Sequence, residues 1–306
     1  MFLPYTGSSD NCYASSLSMA LGPDAPGAGA VDVLTGSPFG MQLHAGTTPY
    51  FDPAGWDCEI GLDAALAALG WTCVFEAGGS EEEAAERLRA ATPAAPLVAG
   101  PVEMGLLTHV RGRGSAWGAD HYVTVFGVED CLVRFHDPKG YPFASLPVDR
   151  FIAAWRTDSL QYGESFTSRR NFERTAEVSA AQAVRAQIGV FAGWLRGTHE
   201  RPVEAGNIAN AEAAEGLAAM CEAGLSDQTR QDLDFMVPAG ARRLSDAGAC
   251  LAAAGADEAS AIAARQARLV GGLQYDLAAG RVAEAAAALR ALGPLYLELA
   301  EALERA

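Results

Sequence analysis

The stretch Asp120-His121-Tyr122-Val123-Thr124-Val125-Phe126-Gly127-Val128-Glu129-Asp130-Cys131-Leu132-Val133-Arg134-Phe135-His136-Asp137-Pro138 decides how this chain is read. Two runs rich in β-branched and aromatic residues, 122–128 and 131–136, are joined by Glu129-Asp130. That pattern predicts an antiparallel hairpin with a tight turn. In such a hairpin the start of one strand and the end of the other share an open end. His121 opens the first strand and Asp137 closes the second, 16 positions later. The spacing lets the aspartate accept from one imidazole nitrogen, fix the tautomer, and leave the other nitrogen for a third group.

A third group of the right kind stands in Asp10-Asn11-Cys12-Tyr13-Ala14-Ser15-Ser16-Leu17. Ala14, Leu17, Ala20 and Leu21 recur at helical spacing and predict a helix over 12–21 with one buried face. A cysteine at a helix N-terminus meets the positive end of the macrodipole, which favours a thiolate nucleophile. Its own N–H is also placed to face an oxyanion. Cys12, His121 and Asp137 then follow the chain order of papain-like enzymes.

Around these residues the first half reads as mixed structure. A strand is expected over 97–102 and a helix over 60–69, ended by Gly70. A second helix over 81–91 opens after Ser80, with Glu83 three residues later completing a capping box. After Thr175 the grammar changes: alanine supplies 38 of the 131 residues from Ala176 onward, and apolar residues recur every three or four positions. Helices are expected over 179–195, 209–223, 226–254 with an interruption near Pro238, 257–277 and 281–303. Gly224, Gly255 and Gly280 fall where C-terminal caps belong. The predicted architecture is α+β over 1–174 followed by an all-α helical bundle over 175–306, with the boundary near 169–172.

Composition narrows the function classes. A chain of 306 residues accommodates two domains of ~100–150 residues. Its 50% apolar and 20% charged residues supply a core and exclude a disordered or fibrous chain. Lys and Arg total 22 against 38 Asp and Glu, a net charge of −16. Such a surface repels phosphate backbones and anionic lipid, so neither nucleic acid nor a membrane surface is an expected partner. No apolar run approaches the ~20 residues of a spanning helix. Residues 1–11 carry neither basic residues nor a long apolar run, so no export signal is read and a cytoplasmic location is expected. The six cysteines are scattered without a CxxC pair. This argues for reduced, mostly buried thiols, and against a metal site or a disulfide scaffold.

Three stretches carry a family resemblance: Cys12-Tyr-Ala-Ser-Ser-Leu-Ser-Met-Ala-Leu21, Asp120-His121-Tyr-Val-Thr-Val-Phe-Gly-Val128 and His136-Asp137-Pro138-Lys-Gly140. They resemble the papain-like peptidase domain that matures double-glycine bacteriocin leaders. They resemble more closely the N-terminal domain of the butirosin-biosynthesis acyltransferase (BtrH-like) family, which shares that fold. Segments 101–107 and 33–40 are similar to internal segments of that domain, and the family also carries a helical C-terminal region. The likeness covers roughly residues 5–170.

The resemblance implies a papain-like cysteine-peptidase fold and a cysteine-dependent acyltransferase of specialised-metabolite biosynthesis. An acyl or aminoacyl group would pass from a carrier-protein thioester, through acyl-Cys12, to a small-molecule amine. Cys12 would be the nucleophile, His121 the base and later acid, and Asp137 the orienting residue. No cofactor is implied beyond the phosphopantetheine arm of an acyl or peptidyl carrier protein. The peptidase branch has a glutamine six residues before its cysteine, where this chain has Thr6. Thr6, Ser8, Ser9 and Asn11 remain as polar candidates for the second oxyanion donor. A lost donor costs ~10²–10³ in rate, which hurts amide cleavage more than thioester transfer. Acyl transfer therefore ranks ahead of a cysteine peptidase or amidase and of a thioesterase or cyclase with the same triad. A catalytically silent carrier- or partner-binding module is the reading from another class.

Among the other polar residues, His44, Glu103 and the arginines take two readings each. His44, in the loop-like stretch 41–48, lines the substrate cleft or is a solvated loop histidine. Glu103, after an apolar strand, meets a substrate amine or is an edge-strand carboxylate. His136 should point away from Asp137 by strand alternation and is read as structural. His109, near Arg111 and Arg113, is placed on the surface. Arg111, Arg113, Arg169, Arg170 and Arg174 form a docking patch for an acidic carrier or pair singly with local carboxylates. Trp56, Trp117 and Trp155 are read as core or cleft wall. The alanine-rich helices serve as a scaffold or as a homodimer interface.

Overall fold

The computed structural model describes residues 3–7, 11–160 and 162–306. In chain order the first elements are α1 (Cys12–Leu21), α2 (Ala28–Leu34), β1 (Gln42–His44), β2 (Thr48–Tyr50), α3 (Cys58–Ala68), β3 (Trp71–Glu76) and α4 (Glu81–Ala90). Next come β4 (Leu97–Glu103), β5 (Asp120–Glu129), β6 (Leu132–Asp137), β7 (Tyr141–Pro147), α5 (Val148–Trp155) and β8 (Ser168–Arg174). The remainder is α6 (Ala180–Arg196), the short β9 (Ile208–Ala209), α7 (Asn210–Ala223), α8 (Asp227–Ala253), α9 (Asp257–Ala278) and α10 (Val282–Arg305). The protein is thus a mixed helix-and-sheet chain with a C-terminal helical region.

It forms two compact units, one of Met1–Val31 and Gly70–Glu177, the other of Asp32–Leu69 and Val178–Ala306. This differs from a single cut at 174/175, because the early segment Asp32–Leu69 belongs with the C-terminal helices. Its β1 pairs with β9, Leu43 opposite Ile208. Phe51 packs where Gly240 of α8 leaves room, since a Cβ there would lie 2.6 Å from its side chain. Asp52 reaches Arg243 of α8 at 3.3 Å. Pairings across more than 160 residues leave no trace in local composition. The expected boundary at 169–172 is also displaced. Those residues lie inside β8, an interior strand between β3 and β4. Arg169 is buried there with its guanidinium over Phe75.

The first unit is built on a six-stranded sheet in the order β3-β8-β4-β5-β6-β7, with every neighbour antiparallel. Valines at alternate positions put Val123 and Val125 of β5, with Val133 and Phe135 of β6, on one face. There they pack against Ala84 and Leu88 of α4 and Phe151 and Trp155 of α5. Helix α1 lies on β5 and is tied to it by Thr124 Oγ1, which donates to the Ser16 carbonyl at 3.0 Å. All ten residues of α1 are buried, so it is a core helix on every side. The β5–β6 turn falls one residue later than expected. Asp130 and Cys131 both adopt positive φ, 50° and 61°, as a type I′ hairpin requires. Ser80 and Glu83 form both arms of the capping box at α4.

In the second unit α6–α10 pack as helices. Helix α8 runs unbroken through Pro238, where an interruption was expected. A proline forfeits one helical hydrogen bond and costs ~3 kcal/mol. Packing of both halves of α8, with Leu233, Leu244 and Leu251 buried, outweighs it. Gly255 and Gly280 follow α8 and α9 with φ of 78° and 67°, the left-handed geometry of a C-terminal cap. Among the described residues no helix is long and apolar enough to cross a membrane.

Candidate active site

Antiparallel pairing places Thr124 opposite His136, so His121 at the start of β5 and Asp137 at the end of β6 are diagonal neighbours at one end of the sheet. His121 Nε2 lies 2.7 Å from Asp137 Oδ1. Helix α1 brings Cys12, at its first position, to the same ring, and the two side chains hydrogen-bond. With Nε2 on the aspartate, Nδ1 is the nitrogen left for the thiol. Cys12 is 9% exposed, His121 2% and Asp137 0%, so water does not screen the interactions.

Burial by itself lowers the pKa of His121. The charge of Asp137, the Cys12 side chain and the hydrogen bonds to both outweigh it and push the ring up to about 10. His121 therefore keeps its proton at neutral pH, as an imidazolium between an acceptor and a sulfur. Asp137 is pushed upward by burial, but His121, His109 and the Lys139 N–H hold it well below the ordinary carboxylate range. An imidazolium fixed by a buried carboxylate and touching a cysteine can stabilise a thiolate, accept a proton and return it.

Asp137 serves more groups than the sequence suggested. Oδ1 accepts from His121 and from the Lys139 N–H at 2.8 Å. Oδ2 lies 3.0 Å from His109 Nε2 and 3.6 Å from Arg113 Nη1. His109 was expected on the surface, but its side chain is only 6% exposed; Arg113, 5% exposed, is turned onto the same carboxylate and not into a docking patch. The signal for this was their place in the 104–119 connection leading into the histidine-bearing strand. Because β4 and β5 pair at Glu103 and Asp120, that connection must return to its own start. It folds back over the end of the sheet.

Glu103 is what closes the connection. Its carboxylate accepts from the backbone N–H groups of Gly105 (2.9 Å), Trp117 (2.9 Å) and Gly118 (3.0 Å) and from the Ser159 hydroxyl. Burial raises its pKa, but these donors prevail and lower it. All its acceptor positions face inward, at 1% exposure. Of its two readings, substrate-amine contact or edge-strand carboxylate, the bonds give it a structural role: the carboxylate joins the beginning of the connection to its end.

The other candidates disperse. His136 donates from Nε2 to the Leu3 carbonyl (2.9 Å) and accepts at Nδ1 from the Phe143 N–H (3.0 Å). Both nitrogens are committed on the side away from Asp137, as alternation predicted. His44 belongs to the second unit, 3.6 Å from Glu204. Asn11 occupies the N-cap position of α1, buried, without a side-chain cap bond to the helix. Thr6 is half-buried in the segment 3–7, which has no regular secondary structure. Ser9, like Ser8, lies outside the described residues. The arginine patch does not form as such, since Arg113 and Arg169 are buried and Arg170 pairs with Glu76 at 2.6 Å. Trp155 is core, whereas Trp117 is 53% exposed. Among the described residues no group of three or more His, Cys, Asp or Glu could hold a metal ion.

Residues 204–304 match a family model described as the YobF C-terminal domain. The chain is also 29% identical over 163 residues to the uncharacterized protein YobF of Bacillus subtilis (strain 168). That match covers 52% of this chain and 52% of the relative, so the chain spans about half the length of the curated relative it matches. The family-model match lies in the second unit, across α7 to α10. Cys12, His121 and Asp137 fall outside it.

Proposed function

We propose that this protein is a cysteine-dependent acyltransferase of the papain-like type. It would move an acyl or aminoacyl group from a carrier-protein thioester to a small-molecule amine in specialised-metabolite biosynthesis. The observation that carries the reading is His121, buried between Asp137 at 2.7 Å and the Cys12 side chain. The arrangement of a cysteine at the start of a buried helix, lying on a strand that opens with the histidine, supports the BtrH-like resemblance.

In the first step the Cys12 thiolate attacks the thioester carbonyl. The carbon–sulfur bond to the carrier arm breaks, and the carrier thiolate leaves, taking the proton from His121. This exchanges one thioester for another and asks little of the enzyme. The first-turn N–H groups of α1, which have no intrahelical partner, would hold the oxyanion. In the second step an amine attacks acyl-Cys12, its proton passes to His121, and the Cys12 sulfur departs as the amide forms. Asp137 keeps the ring oriented throughout.

Intact-protein mass spectrometry after incubation with a panel of acyl N-acetylcysteamine thioesters tests this. The wild type should gain one acyl mass, Cys12→Ala should gain none, and added amines should discharge the adduct as amide. Discharge to water alone would point to a thioesterase. Absence of any adduct, with slow iodoacetamide labelling of Cys12 at neutral pH, would rule out the nucleophile and leave a binding module.

A further inference from the structure

We propose that His109 is a positioning residue of this site, holding the Asp137 carboxylate by an Nε2–H to Oδ2 hydrogen bond so that Oδ1 stays on His121. The proposal rests on the acyltransfer reading only in that His121 serves Cys12.

A carboxylate turns easily about its Cβ–Cγ bond unless both oxygens are engaged. In Asp137 the two oxygens have separate partners. Oδ1 meets His121 and the Lys139 N–H, while Oδ2 meets His109 at 3.0 Å. Arg113 Nη1, at 3.6 Å from Oδ2, contributes charge but is too far for a hydrogen bond. His109 is therefore the group that occupies Oδ2. Its ring is itself fixed, edge-on to Phe135 at 5.0 Å and to Tyr141 at 5.5 Å. Among the described residues its buried Nδ1 has no hydrogen-bond partner, so the proton belongs on Nε2, pointing at the aspartate. Among the described residues, Asp137 and Tyr141 are the titratable groups in contact with the ring, and Arg113 shares the same aspartate oxygen. The connection that delivers His109 is closed by Glu103, so one buried carboxylate positions the loop and the loop positions the other.

Nitrogen-detected histidine NMR on the full chain, with iodoacetamide labelling of Cys12, tests the proposal. In the wild type His109 should appear as the Nε2–H tautomer, with that proton shifted in Asp137→Asn. In His109→Ala the Asp137 carboxylate loses its second anchor and its hold on His121 loosens. The His121 titration midpoint should fall by about one pH unit, roughly tenfold in the protonation equilibrium, and Cys12 labelling at pH 7 should slow because the imidazolium is held less firmly against the sulfur. His109→Gln, whose amide N–H reaches toward Oδ2, should restore most of both. A merely structural histidine would lower the thermal midpoint of both variants and leave the His121 titration unmoved. An unchanged or raised His121 midpoint in His109→Ala overturns the proposal. So does a wild-type His109 protonated on Nδ1 with Nε2 bare, a result that holds even if the alanine variant fails to fold. If no acyl adduct forms but the His121 midpoint still moves, acyl transfer fails and the positioning role stands.

Discussion

Replacing Asp137 by asparagine should change how the protein's stability depends on pH. The side chain keeps its size, but it loses the charge that faces His121 at 2.7 Å in a buried site. The rise of His121 from its ordinary 6.5 to about 10 corresponds to on the order of 5 kcal/mol at about 1.4 kcal/mol per pH unit. Asp137 raises the ring more than Cys12 does, so Asp137→Asn should remove on the order of 3 kcal/mol of this. The direction follows from linkage. A group whose folded pKa is raised contributes its full stabilisation below its unfolded value near 6.5. That stabilisation is lost as pH climbs through about 10. Wild-type stability should therefore fall steadily between these limits, and the fall should be largely absent in Asp137→Asn. Chemical denaturation at one-unit intervals from pH 6 to 10, followed by tryptophan fluorescence, reads both curves. Parallel curves, displaced but equally steep, would refute the coupling between Asp137 and His121.

Two further outcomes follow from buried polar groups. In Glu103→Gln an amide group faces donors that now lack an acceptor, and each unsatisfied buried donor costs about 1–3 kcal/mol. Thermal unfolding should show a loss on the order of 2–4 kcal/mol, and hydrogen exchange should speed up across 104–118. A variant as stable as wild type would mean the loop is held by other contacts. Tyr296 in α10 is fully buried, with no hydrogen-bond partner for its hydroxyl among the described residues, and burial with the nearby Asp52 charge raises its pKa. Tyr296→Phe removes an unpaired polar group without opening a cavity. It should leave stability unchanged or raise it by about 1 kcal/mol, and a loss above that in urea titration would reveal a partner for the hydroxyl.

The central hairpin could be read from the chain because its signal is local. Alternating valines, two short runs and a brief turn specify an antiparallel pair, and the pairing brings His121 to Asp137. Even here the turn moved by one residue, since Cys131 in positive φ carries no glycine or asparagine to mark it. The alanine-rich helices were legible for the same reason, apart from the stop at Pro238. Strands β3 and β7 were not foreseen. In β3 the residues 71–76 are half-exposed or exposed and lack a clear buried run.

Residue chemistry and short-range periodicity by themselves determined the helix that presents Cys12, the strands that present His121 and Asp137, and the structural commitment of His136. Tertiary structure alone decided that Asp32–Leu69 joins the C-terminal helices, that Glu103 serves a loop, and that His109 and Arg113 turn inward onto Asp137. The reason is the range of the forces involved. Propensity and amphipathic pattern act over a few residues and are written locally. The burial of an arginine or a histidine depends on a carboxylate more than 20 positions away, and only the closed sheet brings that partner into reach.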